Sequence, residues 1–454
     1  MNSWKSLTTT MVVLLMMTWA PFGFGAVSPE DAAKLGTTLT RFGAEMAGNK
    51  DGTIPSYTGG LTKAPADYKP GSGIYADPFP EERPLFSINA QNMNQYADKL
   101  TEGTKAVMKR HPTFRIDVYK TRRTVAYPEY VLKSTAKNAV KAVTIDDGLS
   151  VEGAHAGIPF PIPKDGYEAM WNHQLRFMGR ALRCTHEGYL SDAAGKVIMA
   201  QKVGDEWDEY PYYDEDPNRP DSHLYWKVAG FWIGPPRHAG ENAMMFDAIS
   251  YKTGRVAYQY LPGQRRVKLA PEIGFDTPDS WTAGSNTFDE AYIFMGSMER
   301  YNWKLIGKKE FYVPYNAYKA VFHAKKDELF GPRHLNPDMV RWELHRMWIV
   351  EATLRPGYRH IYPKRRFYID EDSWAALANE NYDAKGDIFK VNLAHMSPSY
   401  DIPAPQNRFV ASYNMVSNFY YCDHWHGNGC FVRPADVRPL RDWSPNSLTG
   451  RGIR

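Results

Sequence analysis

The chain has only three cysteines in 454 residues, Cys184, Cys422 and Cys430, too few for a fold stapled by disulfides. An excess of charge of one sign is missing too. Lys plus Arg number 55 against 51 Asp plus Glu, a net of +4, which excludes nucleic acid as the expected partner. Beyond Ala20 no segment approaches the length of apolar run that a spanning helix needs, so a polytopic helical membrane protein is excluded. There is no internal repeat, low-complexity block or Ser/Gly linker to divide the chain. G-x-S-x-G, H-E-x-x-H, Walker A and G-x-G-x-x-G are all absent, which lowers the expectation of an enzyme without closing it.

Aromatics are abundant: 14% of the chain, with 29 Tyr and 13 Trp. Rings favour strands over helices and can line a cavity. With 43% hydrophobic and 23% charged residues, the chain is globular rather than disordered. Met1–Gly25 reads as a cleaved secretory signal: Lys5, an apolar stretch around Met11–Met17, a break at Pro21, then small Gly23 and Gly25. The stretch of about 14 apolar residues is short of the roughly 20 that a retained anchor needs. No cysteine lies near the cleavage point to carry a lipid. The expected location is the periplasm, soluble and not lipidated.

The remainder, 26–454, reads as a single sheet-based domain, with 26–110 helical and irregular and 111–454 mostly strands. Ser28-Pro29-Glu30-Asp31 starts one helix, and 89–109 has the spacing of a second. Val118–Tyr130 is strand-like. Residues 341–355 alternate, with Trp342, Leu344, Trp348, Val350 and Leu354 on a face that is apolar apart from Arg346, and a mostly polar opposite face. That pattern predicts a long strand with one dry face. Pro356-Gly357 turns the chain into a partner strand over 359–370. Further hairpins are expected about 191–195 and 252–254, with strands at 303–313 and 407–421, and a short helix at 372–380. The total expected is ten or eleven strands.

Cys422, His424, His426 and Cys430, two Cys and two His within nine residues, could ligate zinc. The tight Gly-containing loop and an oxidising compartment favour a Cys422–Cys430 disulfide instead. Cys184 is then a buried small residue. No metal or other cofactor is expected. Glu206 and Asp208 lie in an acidic run that is read first as a solvated loop, and otherwise as a carboxylate pair for glycoside hydrolysis. Arg346 on its dry face must meet an acid, such as Glu299, Glu310 or another on a neighbouring strand, or else a ligand head group, because an unpaired buried charge is very costly.

Four stretches carry a resemblance: Tyr258 to Val267, Tyr301 to Asn316, Trp342 to Ala352, and Arg359 to Trp374, joined by the opening Val27 to Gly36. Through them the chain resembles a large family of exported proteobacterial proteins of unknown function, related in fold to the lipoprotein carriers LolA and LolB. The resemblance implies an α+β fold in which a large, curved, incompletely closed antiparallel β-barrel has helices covering an apolar cavity. It also implies a carrier or chaperone for a lipid, acyl chain or lipoprotein-like cargo. The implied partner is a resistance-nodulation-division type exporter or an outer-membrane protein. On this reading Trp342, Leu344, Arg346, Trp348, Val350 and Leu354 contact the ligand. The alternative is an envelope hydrolase or glycan-active enzyme; an outer-membrane barrel is disfavoured by the N-terminal helical region and the many prolines.

Overall fold

The computed structural model describes residues 27–451, so the signal sequence expected at 1–25 lies outside the described residues. The described residues hold four short strands at the start, β1 (Phe86–Asn89), β2 (Arg115–Val118), β3 (Val143–Ile145) and β4 (Ser150–Glu152). A run of meandering strands follows: β5 (Ala181–Ser191), β6 (Val197–Glu209), β7 (Leu224–Gly234), β8 (Asn242–Ala248), β9 (Arg255–Leu261) and β10 (Arg266–Leu269). The second run is β11 (Tyr301–Pro314), β12 (Arg341–Leu354), β13 (Lys364–Asp370), β14 (Ala376–Tyr382), β15 (Ile388–His395), β16 (Phe409–Asn414), β17 (Tyr420–Trp425) and β18 (Val432–Pro434). All but β3 and β4 join one 16-stranded sheet. The second run continues into the first where β17 pairs with β5. Every pairing is antiparallel except the short contact of β2 with β12. β10 pairs only with β9 and β11 only with β12, so the sheet is not closed. The protein is mainly β, with a few helices on an incompletely closed sheet.

The long hairpins form where alternation and turn residues predicted them. Other elements depart from expectation for definable reasons. The helix expected over 89–109 is broken by extended Leu100 into a 3-10 turn, Met93–Lys99, and a helix, α1 (Glu102–Arg110), capped by the Thr101 hydroxyl. Part of the strand-like stretch 118–130 belongs instead to a helix, α2 (Glu129–Ala139). A third, α3 (Gly166–Gln174), was not anticipated; Asp165 caps it by accepting from the Glu168 backbone, while Glu168 accepts from the Lys164 backbone. The stretch 407–421 is two strands, because Asn414 accepts from the Val416 and Ser417 backbones and turns the chain. The helix expected over 372–380 is a tight turn followed by β14. Asp370 accepts from Ser373, and Trp374 adopts φ +57° with its indole donating to the Phe42 carbonyl. These tertiary partners override local helix preference.

Both faces of the sheet are covered, most clearly at β14 and β15. Glu380 accepts from the Gly103 backbone of α1 on one face. Asn381, Lys390 and Asn392 reach Glu290 of the Phe288–Ile293 turn on the other. The expected polar face of β12 is therefore not solvated. Glu343 is fully buried, accepting from the Arg122 backbone and from Asn316, and His345 stacks on Tyr315 at 3.6 Å. The N-terminal segment is held in the same way: Arg123 grips Asp372 with two hydrogen bonds of 2.9 and 2.6 Å in a buried setting.

Two outcomes follow. Removing Arg123 strands a buried carboxylate, so Arg123→Ala should cost about 3–5 kcal/mol in urea unfolding, whereas Lys34→Ala, which breaks an exposed pair with Asp31, should leave the urea midpoint unchanged. Burial pushes the Glu168 carboxyl up to about 7 from its usual 4.5. The folded state thus holds this proton more tightly than the unfolded one. Its contribution is full below the unfolded value and is lost as pH rises through the folded one. Glu168→Gln should match wild type in acid and exceed it at about pH 8, by on the order of 2 kcal/mol.

Candidate functional site

On β7 the even positions Trp226, Val228, Gly230 and Trp232 face one side, beside Ala243 and Met245 of β8. They form the apolar wall of a cavity of about 80 Å³. The segment from Asp279 to Tyr292 closes it from across the sheet. Trp281 of that segment stacks on Trp232 with ring centres 4.2 Å apart. Each indole N–H has a fixed acceptor: Trp226 donates to Asp208, Trp232 to Gln201 and Trp281 to Glu241. The rings are thereby fixed by their polar edges and offer their carbon faces inward.

The floor of the cavity is polar. It consists of His186 of β5, Gln201 and Glu206 of β6, and Asp423 and His424 of β17. A bulge in β17 brings Asp423 and His424 here: Cys422 is opposite Tyr189 and Trp425 opposite Glu187, leaving one extra residue, and His424 takes φ +52°. The His186 and His424 rings lie face to face, 4.0 Å apart. Glu206 lies at their Nε2 end, 3.2 Å from His186 and 3.7 Å from His424. Asp423 lies at their Nδ1 end, 4.0 Å from His186 and 3.2 Å from His424. Beneath, Arg408 donates to Glu206 at 2.5 Å and to Asp208 at 2.7 Å.

The charges follow from these contacts. Burial alone would raise Glu206, but the facing imidazoles hold it well below the usual carboxylate range. Burial opposes a charge on His424, yet Asp423 and Glu206 outweigh it and raise its pKa to about 9. Burial pushes Asp208 up to about 6 against the pull of Arg408, and Asp279 at the cavity edge up to about 7.

The structure corrects several expectations. Asp205 to Glu209 is a strand, not a solvated loop, and Glu206, Asp208 and Glu209 are buried because each finds a partner inside: Arg408 for Glu206 and Asp208, and Lys227 of the neighbouring β7 for Glu209. Glu206 and Asp208 are close, but Arg408 bridges them, and Asp208 does not reach the cavity, so they do not flank an open cleft. Cys422 and Cys430 form no disulfide; both are free and buried. Cys422 packs in the main core, whereas Cys430 lies beyond the Gly427 turn against Thr185 and Glu187, and burial raises both thiols. Cys184 is buried as expected, but donates to Glu206 rather than meeting an apolar environment alone. His426 accompanies His424 in sequence but bonds the Thr185 carbonyl and stacks on Phe322.

None of the six β12 residues lines this cavity. Trp342, Leu344 and Val350 are buried in the main core, and Trp348 and Leu354 pack at its edge. Arg346 pairs with Glu371 at 3.1 Å and donates to the Ala47 carbonyl, so its acid partner is neither Glu299 nor Glu310. Sequence reasoning reached Glu206 and His424 but missed His186, Asp423 and the three tryptophans. Their single-residue alternation is common to every strand here, and only the β17 bulge turns Asp423 and His424 toward the floor. Among the described residues no helix is long and apolar enough to cross a membrane.

Comparison with known proteins gives a curated relative and several solved folds. An uncharacterised Pseudomonas aeruginosa protein, PA3922, is 39% identical over 427 residues, 92% of each chain. A Vibrio parahaemolyticus crystal structure, described as an outer membrane lipoprotein-sorting protein domain, is similar at TM-score 0.44 and 14% identity, covering 63% of this chain and 98% of that one. A DUF1329 family protein from Desulfovibrio piger is similar at TM-score 0.43 and 12% identity, covering 62% and 95%. A LolA superfamily protein from Nitrosomonas europaea is similar at TM-score 0.36 and 8% identity, covering 63% and 100%. The model of the family described as "Protein of unknown function (DUF1329)" matches residues 87–449, and the chain belongs to that family.

Proposed function

We propose that the protein is a periplasmic carrier that binds one end of an amphipathic, largely apolar molecule in the tryptophan-walled cavity. The observation that carries this reading is the pairing of an apolar wall, Trp226, Trp232, Trp281 and Met245, with a polar floor in one enclosed space. The wall removes hydrocarbon from water at about 0.8 kcal/mol per CH₂. The floor supplies hydrogen-bonding groups for a polar end. At about 80 Å³ the cavity is smaller than the roughly 300–1,000 Å³ usual for a whole drug-sized ligand. It therefore suits a head group or chain terminus, with the rest of the cargo outside. The secretory signal read at Met1–Gly25 and the family resemblance support envelope transport, and hand-over to a resistance-nodulation-division type exporter or an outer-membrane partner completes the reading. The bridging of Glu206 and Asp208 by Arg408 favours binding over glycoside hydrolysis.

The test fills the cavity. Ala243 is buried on its wall opposite Gly230, and Ala243→Phe projects a ring into the free space. Protein purified from the periplasm should release a lipid-like species into organic solvent, seen by mass spectrometry, and should be stabilised against heat by fatty acids or phospholipids. Ala243→Phe should lose both while keeping the wild-type circular dichroism. Absence of any such species and of any thermal shift in the wild type would contradict the proposal.

A further inference from the structure

The polar floor contains an arrangement that lipid binding does not require. His186, Asp423 and His424 each offer one ligand atom, and these atoms lie within 4.8 Å of one another. On the Nδ1 side one Asp423 oxygen lies 3.2 Å from His424 and the other 4.0 Å from His186, so the carboxylate sits at about the 3–4 Å from both rings that metal bonds of about 2.0–2.2 Å require between ligand atoms. His186 Nδ1 is buried, has no hydrogen-bond partner and belongs to a side chain that is 1% exposed at the cavity. A bulge and a left-handed backbone at His424 are spent on bringing the third ligand into place.

We propose that His186, His424 and Asp423 bind a divalent transition-metal ion through two imidazole nitrogens and one carboxylate oxygen, with zinc the best match to that donor set. The surrounding groups fit the role. Metal-bound histidines commonly give their other ring N–H to a carboxylate. Here Glu206 lies at the Nε2 end of both rings, and Arg408 holds Glu206 in turn. Gln201 donates to Asp423 at 2.8 Å and orients it. Three protein ligands leave further coordination positions, and the cavity lies beside them, the pattern of an open rather than a closed structural site. The rings lie face to face, so an ion draws them into a tilt that makes both lone pairs converge. The neighbouring set of Cys184, Glu206 and Asp208 offers no such place, because the Arg408 guanidinium already occupies it. The inference replaces the expectation of no metal, and it uses neither Cys422 nor Cys430.

Metal-stripped full-length protein should take up one Zn²⁺ per chain in calorimetric titration, and Co²⁺ should give visible bands without thiolate charge-transfer absorption. His186→Gln and Asp423→Asn should weaken zinc by at least about 100-fold, and Glu206→Gln by about 10–100-fold. His426→Gln, whose side chain points elsewhere, should leave affinity unchanged. If the ligand variants do not fold, the Co²⁺ spectrum of Cys422→Ser/Cys430→Ser decides, and should equal that of wild type. The inference is overturned by no saturable uptake in the wild type, by uptake that survives His186→Gln and Asp423→Asn, or by bands that vanish with the cysteines. Zinc uptake is read on metal-stripped, delipidated protein, so its presence or absence is scored apart from lipid release and from the fate of the carrier reading.

Discussion

The constraint on which the structure depends is that a large open sheet is covered on both faces, so charged side chains on its strands must find partners inside the protein. An uncompensated buried charge is far costlier than the net gain from any one pair. The result is a set of ionic ties between segments remote in sequence. Arg123 and Asp372 fasten the N-terminal segment to the β13–β14 turn. Arg365 donates to Asp289 and Lys390 to Glu290, and together they fasten the Phe288–Ile293 turn to the opposite face. Lys227 is clasped by Glu209 and Asp221. Such ties add less to net stability than their number suggests, but they fix which segment covers which strand.

That fixing produces the cavity. Most of the space over the sheet is filled by the protein's own chain, with Tyr292, Ile293 and Phe294 buried in the core. What stays open is the place beside the anchored turn, where Trp281 meets Trp232 and the β17 bulge adds Asp423 and His424. The apolar wall and polar floor thus share one cause: a segment crossing the sheet, held by ion pairs at one point and by ring stacking at another.

The long hairpins were legible because alternation, aromatic content and turn residues all agree within a few residues of one another. Strands of three or four residues, such as β3 and β18, are too short to carry a period. The polar positions were misread for a different reason. A carboxylate on a strand looks the same in sequence whether it faces water or a buried partner. Glu206 meets Arg408 from 202 residues away, and Glu343 meets the Arg122 backbone from 221. Arg346 was read correctly as needing a partner, but the partner proved to be Glu371, next to the end of β13. The dry face of β12 is real; it packs in the core, and the cavity lies across the sheet on β5–β8 and β17.

The central claim is that apolar cargo meets this protein at the tryptophan-walled cavity. Photocrosslinking with two fatty acids, one carrying a diazirine beside its carboxyl group and one at its chain terminus, tests it most directly whichever end enters, with adducts located by peptide mass spectrometry. The account predicts adducts on Trp226, Trp232, Met245 and Phe288, suppressed by unlabelled fatty acid. Adducts confined to β12, or to the surface groove beside Phe42, Tyr57 and Leu132, would contradict it.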